Sequence, residues 1–237
     1  MSYFKYLYLA IGLCCCSFAV QSSETDELQS GLLAYSQRDY SKAWRLLSPL
    51  AEKGVLEAQR KIGVMYRHGL GVQKNDEKAI YWYRKAAQKG HVRAQNSLGV
   101  MYRFGMGVTK NSQEATKWLT AAAKQGDSKG QENLGLMYLD GGEGIQQSDE
   151  QAAYWLEKAA VQGQMKAQLT FGLLTLAGRG TPKNLDAGMN WIQQSANQGN
   201  GKAASALGKA YADGLYGLKK DSQQARYWYN RAGQKFQ

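Results

Sequence analysis

The sequence predicts an all-α protein, a solenoid of about six antiparallel helix pairs with a 36-residue period. Three observations carry that prediction. Tryptophans recur at Trp82, Trp118, Trp155, Trp191 and Trp228, spaced 36, 37, 36 and 37. Glycines hold the same register: Gly63, Gly99, Gly135, Gly172 and Gly208, and the pairs Gly69/Gly71, Gly105/Gly107, Gly141/Gly144, Gly178/Gly180 and Gly214/Gly217. The chain has 27 glycines but only 2 prolines in 237 residues, which suits many helices stopped by glycine and excludes a proline-rich linker protein.

The first element in order is a leader over residues 1–19. Lys5 supplies a positive start, Tyr6 to Cys16 is an apolar run, and Ser17-Phe18-Ala19 offers small residues before a cleavage point near Ala19–Val20. The expectation is an exported protein, periplasmic or secreted. Two alternatives stay open: an uncleaved anchor, and lipidation at a leader cysteine, although Leu13, Cys14 and Cys15 fit poorly before a lipidated Cys16. All three cysteines lie in this leader, so the mature chain has no disulfide. It also has no apolar run of ~18 residues and hence no membrane-spanning segment.

A short linker over 20–26 is expected to precede repeats at about 27–57, 58–93, 94–129, 130–166, 167–202 and 203–237. The first repeat is shorter and lacks the glycine pair, as a terminal cap should. In the second, helix A runs from about Glu57 to His68, with Ala58, Ile62 and Tyr66 on one face. Gly63 lies mid-helix at a propensity cost of ~1 kcal/mol, so its recurrence implies a helix packed too close for a Cβ. Helix B follows a capping residue, one of Asn75, Asn111, Ser148, Asn184 and Asp221. It carries Ala79, Trp82, Ala86 and Ala87 toward the core and ends at Gly90. The tryptophans are expected to fill one recurring interhelical gap, with Trp44, outside the register, partly exposed.

The stretch AQNSLGVMYRFGMGVTKNSQEATKWLTAAAKQG at 94–126 resembles a Sel-1-like repeat, a branch of the tetratricopeptide-like solenoids. The resemblance spans roughly residues 27–237. It implies an adaptor of the kind used in envelope assembly, signalling, secretion and host contact. Local departures are Gly130 and Gly188 where alanine is usual, Thr175 where tyrosine recurs, and single insertions near Gly142 and Tyr216. Some relatives carry a disulfide in each repeat, and some cysteine-rich ones are described as acting on β-lactams. Here the one Ser-x-x-Lys is Ser2 to Lys5 in the leader, and no Lys-Thr-Gly occurs.

Catalytic chemistry finds little to use. His68 and His91 read as solvated residues at helix ends, and no metal-ligand spacing is present. The Gly-x-Gly segments follow no strand and lack Lys-Ser/Thr, so they are turns and not phosphate loops. Asp76-Glu77 and Asp149-Glu150 lie at helix starts, where the dipole favours them. No catalytic, cofactor-binding or metal residue is therefore expected. The formal charge of +11 is concentrated: residues 58–129 hold 14 basic and 4 acidic side chains, net +10. A protein or peptide partner, acidic in part, or an anionic envelope polymer would suit it. Export argues against nucleic acid.

The reading is thus an exported, non-enzymatic interaction scaffold. The alternatives are an immunity or inhibitor protein against an exported toxin and a cell-wall or β-lactam hydrolase. Relative to the helix A alanine, positions two, six and nine residues on should line the concave surface. They give Arg60, Val64 and Arg67, then Asn96, Val100 and Arg103, then Leu136 and Leu139 (with Glu132), then Leu169, Leu173 and Leu176. The expected groove grades from basic to apolar, with Arg60, Arg67 and Arg103 pairing an acidic segment.

Overall fold

The computed structural model describes residues 24–233, which form twelve α-helices. These are α1 (24–36), α2 (Tyr40–Lys53), α3 (Leu56–His68), α4 (Asp76–Gln88), α5 (Val92–Phe104), α6 (Ser112–Lys124), α7 (Ser128–Asp140), α8 (Asp149–Val161), α9 (Met165–Ala177), α10 (Leu185–Asn197), α11 (Gly201–Asp213) and α12 (Ser222–Arg231). Odd-numbered helices are helix A of each repeat and even-numbered ones helix B. No strand occurs among the described residues, only an isolated bridge between Gly142 and Ile145, at the first of the expected insertions. The expected leader over residues 1–19, with its three cysteines, lies outside the described residues. Helix α1 begins at residue 24, inside the expected linker, where Glu24, Asp26 and Glu27 suit the positive end of a helix.

Local signals set the helix starts. The side chains of Asn75, Asn111, Ser148 and Asn184 accept from the backbone N–H three residues on, at 2.8, 2.9, 3.2 and 2.9 Å. Asp221 accepts from the backbone N–H groups two and three residues on, both at 2.9 Å. Each such cap contributes about 1 kcal/mol. The amide of each capping residue donates back to helix A, to the carbonyls of Tyr66, Tyr102, Tyr138, Thr175 and Tyr211 at 2.8–3.0 Å. Because that bond is made by backbone, Thr175 replaces tyrosine without losing it.

Repeats are stitched together by two further devices. Gly180 has φ +67°, and a Cβ there would fall 2.0 Å from the Asp149 carbonyl at the start of the preceding helix B. Buried Gln59, Gln95, Gln131 and Gln168 donate through Nε2 to the carbonyls of Ala51, Ala87, Ala123 and Ala160 at 3.0–3.2 Å. These glutamines recur at the repeat spacing and satisfy carbonyls that end helix B of the preceding repeat.

The chain divides into two compact bodies. The first holds the described residues up to Leu98 with Met106–Val108, and the second holds Gly99–Gly105 and the chain from Thr109. In the first, Leu47, Leu50, Ala58, Ile62, Met65 and Trp82 form the core, with Trp44 half-buried edge-on to Tyr66 at 5.3 Å. The second has two clusters, one around Leu156, Phe171 and Leu174 and one around Leu176, Ile192, Leu207 and Trp228.

The mid-helix glycines are close-packing sites, as expected, but their nearest side-chain partners are mostly the residues after the tryptophans, with Trp191 Cβ adding to the contact at Gly172. A Cβ on Gly63 would meet the Tyr83 ring at 2.8 Å, and one on Gly135 would meet Leu156 Cγ at 2.7 Å. Tyr83, Leu119, Leu156 and Ile192, each one residue after the tryptophan, are the deeply buried groups. Trp82 and Trp228 are buried, whereas Trp118, Trp155 and Trp191 are only half-buried. An indole keeps a polar edge that needs a partner. Trp118 Nε1 accordingly donates to Glu114 Oε2 at 2.9 Å.

Candidate interaction faces

In the first body, α3 presents Arg60, Val64 and Arg67 on one face, all half-buried. Arg60 does not point at solvent with a free fork. Its Nε and terminal nitrogen donate to Glu57 at 2.9 and 2.5 Å, a bidentate pair one helical turn apart. Nε2 of His91 lies 2.9 Å from the same carboxylate. His91 Nδ1 accepts from the Ala94 N–H at 3.3 Å, which assigns the ring proton to Nε2 and makes it the donor to Glu57.

Electrostatics follow from this node. Burial pushes the Glu57 carboxyl up, but hydrogen bonds from Arg60 and His91 outweigh it and hold the group well below the usual carboxylate range. Burial opposes the charge on Arg60, and Glu57 more than restores it. Lys61, its ammonium 4.1 Å over the Tyr35 ring, is lowered by burial and then by Arg60. Burial pushes the Tyr83 phenol up to about 12, against the pull of Arg67 and Arg60. The expectation of a solvated His91 is therefore corrected: it caps α5 but is enclosed in an ion-pair node. His68 is exposed. Asn96 is half-buried on α5.

In the second body, Val100 and Arg103 lie on the last turns of α5 and are half-buried. Arg103 pairs with Asp140 at 2.6 Å, its guanidinium 5.1 Å from the Phe104 ring centre. Leu136 and Leu139 are half-buried against the cluster of α8 and α9. Leu169 and Leu176 are buried among Ile192, Ala203 and Leu207, and Leu173 is 43% exposed. Leu173 borders a hollow of about 140 Å³ with Met189, Lys209 and Tyr216. The sequence grouped these three leucines as one seat; the structure opens only the middle one. The reason is that α9 is apolar almost all round, and such a helix is covered on several sides.

Sequence reasoning missed the Glu57–Arg60–His91 node. Half of it was readable, since Glu57 precedes Arg60 by three residues on one helix. The histidine comes from beyond helix B. Among the described residues, no group of three or more histidine, cysteine or acidic side chains stands ready for a metal ion, and no helix is long and apolar enough to cross a membrane.

The Sel1 repeat matches this chain six times, at residues 27–55, 56–91, 92–127, 128–164, 172–200 and 201–235. A Sel1 repeat protein from Oxalobacter formigenes is similar in structure with TM-score 0.78 and 33% identity, over 89% of this chain and 86% of that one. The c5321 protein, a protective antigen of uropathogenic Escherichia coli with an SLR fold, gives TM-score 0.81 and 31% identity, over 92% of this chain and 47% of that one. The immunity protein PA5088 from Pseudomonas aeruginosa, at 20% identity and TM-score 0.59 over 89% of this chain and 84% of that one, shares the fold. No curated protein matches the sequence. Six matched repeats, twelve helices in the repeat register and the two solved relatives above 30% identity show that this chain belongs to the Sel1 repeat family.

Proposed function

We propose that the protein is an exported, non-enzymatic interaction module that holds a protein or peptide partner on the helix A faces of its repeats. One observation carries this. The packing positions repeat almost without change, while the face positions do not. Every repeat from the second onward keeps its mid-helix glycine and its capping residue. The face positions run Arg60, Val64, Arg67; Asn96, Val100, Arg103; Glu132, Leu136, Leu139; Leu169, Leu173, Leu176. A scaffold held constant under a varying face is the arrangement by which repeat proteins recognise extended partners. The family supports protein partners generally.

Export rests on the leader alone. Intact-mass measurement of the protein from cell envelopes should show a chain starting near Val20; retention of Met1, or a lipid mass on Cys16, would refute simple cleavage. For binding, a pull-down from envelope extract should recover a partner in fixed proportion, released by substitutions at Arg67 or Leu173. If every recovered protein binds those variants equally, the helix A faces are the wrong surface. Inhibition of an exported toxin is a narrower form of the same reading, with one tight partner, and an unrelated partner on the same faces would exclude it. Two of the structural neighbours are immunity proteins, at 20 and 21% identity, which is a likeness of fold.

A further inference from the structure

The sequence places three arginines on the basic face, and the structure separates them. Arg60 is neutralised by Glu57, and Arg103 by Asp140. Arg67 has no carboxylate partner among the described residues. Its guanidinium meets Met106 Sδ at 3.7 Å, a weak acceptor, and neighbours the buried Tyr83 phenol. At the register of Asp140, one repeat earlier, the sequence has Phe104. Glu57, an acid on the same helix, is consumed by Arg60 and His91. A half-buried guanidinium without a counter-charge is costly unless something binds it.

We infer that Arg67 is the recognition residue for a carboxylate on a peptide segment of the partner, with Val64 and Met106 receiving an aliphatic neighbour of that carboxylate. This rests on the interaction-module reading and narrows it to one side chain. The planar fork of arginine matches a carboxylate through two parallel N–H···O bonds. Tyr83 keeps its proton at neutral pH and stands beside the fork as a donor. Arg60 is a positioning residue here: clamped by Glu57, it forms a fixed flank. With Arg60 already paired, the site offers one uncompensated guanidinium, which suits a monoanion. A phosphate, nearly dianionic, is better served by a cluster of arginines.

The test titrates the full-length protein, purified as cells process it, with acetylated peptides. The first is Ac-Ala-Ala-Leu-Glu-Leu-Ala-Ala-amide. Matched peptides carry glutamine or phosphoserine in place of glutamate, and a fourth has glutamine with a free C-terminal carboxylate. Binding is read by calorimetry and by the side-chain Nε–H resonance of Arg67. The glutamate peptide should bind about tenfold or more tightly than its glutamine match, the loss expected for a charged hydrogen bond. Arg67→Gln should remove that preference, Arg67→Lys should keep part of it, and Lys124→Gln, an exposed cation at the end of helix B α6 and off the helix A faces, should leave it unchanged. Unchanged thermal melting certifies the fold of each variant. Equal binding of glutamate and glutamine peptides, indifference to Arg67→Gln, or no binding by any peptide overturns the carboxylate site. Tighter binding of the phosphoserine peptide overturns it in favour of a phosphate site. If a partner from the pull-down binds Arg67→Gln with full affinity yet is released by substitution of Leu173, the interaction module stands and this site alone falls.

Discussion

Two, six and nine residues past the helix A alanine, α3 carries Arg60, Val64 and Arg67, and α9 carries Leu169, Leu173 and Leu176. The helices have equal length and both end at a left-handed glycine, Gly69 and Gly178. In α3 the outer two positions stay half-buried and polar, one tied to Glu57 and one facing a thioether and a phenol. In α9 the outer two positions are core, and only the middle one reaches solvent. The backbone register is thus the same while the register of exposure is not. What neighbouring side chains leave open decides whether a repeat position serves binding or packing.

The largest effect that tests this contrast is Leu176→Ala. A buried leucine truncated in a packed cluster loses about 2–5 kcal/mol. Arg67→Gln, at the same repeat position, should lose less than about 1 kcal/mol because it breaks no ion pair. Chemical denaturation of the two variants measures the difference, and equal losses would mean that Arg67 is structural. The tryptophan register gives a second contrast within α6. Leu119→Ala should cost about 2–5 kcal/mol. Half-buried Trp118→Ala should cost less than Leu119→Ala, although tryptophan is the larger side chain. A greater loss at Trp118 would restore the expectation that the indoles are the main interhelical filling.

Local chemistry was readable and distant packing was not. The capping asparagines and the glycine turns follow from a few neighbouring residues, and each came out where the spacing placed it. The depth of the tryptophans did not, because an indole and the next residue share one period and only facing atoms choose between them. The burial of Leu176 had a visible clue of another kind. Gly188, the departure where alanine is usual, has no side chain, and a Cβ there would sit 2.7 Å from Leu176. That substitution in α10 opens the space that draws the leucine inward. His91 joined the Glu57 node because the end of α4 returns the chain beside α3, a contact between repeats that a helical wheel of one helix does not contain.

The node itself makes a smaller prediction with a definite pH window. Glu57 is held below its ordinary value by Arg60 and His91, so its contribution is fully present above the unfolded carboxyl range, near pH 4.5. It is lost as pH falls toward the lowered folded value. Glu57→Gln should therefore cost about 1–3 kcal/mol at pH 7, the range for hydrogen bonds to a charged group. The gap between the two proteins should narrow as pH falls below about 4.5. Melting curves at pH 7, 5, 4 and 3 check this; a gap independent of pH would mean that the glutamate acts by shape and not by charge.

The smallest expected effect concerns the glutamine ladder, and it is a gain. Gln131 Oε1 accepts from Gln162 Nε2 at 2.7 Å, and Gln168 Oε1 accepts from Gln198 Nε2 at 2.7 Å. Gln162 Nε2 also donates to the Gly126 carbonyl at 3.2 Å. In the second repeat the ladder glutamine is Gln59, and its buried Oε1 has no hydrogen-bond partner among the described residues. The residue at the register of Gln162 is Lys89, and its ammonium lies over Gly54, the counterpart of Gly126. A lysine offers a strongly hydrated point charge where the other repeats offer a flat amide, and keeping that charge in water leaves the buried acceptor unsatisfied. Lys89→Gln should let the amide bridge the Gly54 carbonyl and Gln59 Oε1 together. The expected stabilisation is about 0.5–1.5 kcal/mol, or roughly 2–5 °C in Tm for a chain of this size. The double variant Gln59→Leu with Lys89→Gln should lose the gain, since the acceptor is gone. If Lys89→Gln leaves Tm unchanged while Gln59→Leu lowers it, Gln59 acts only through its bond to Ala51, and the second repeat needs no rung there.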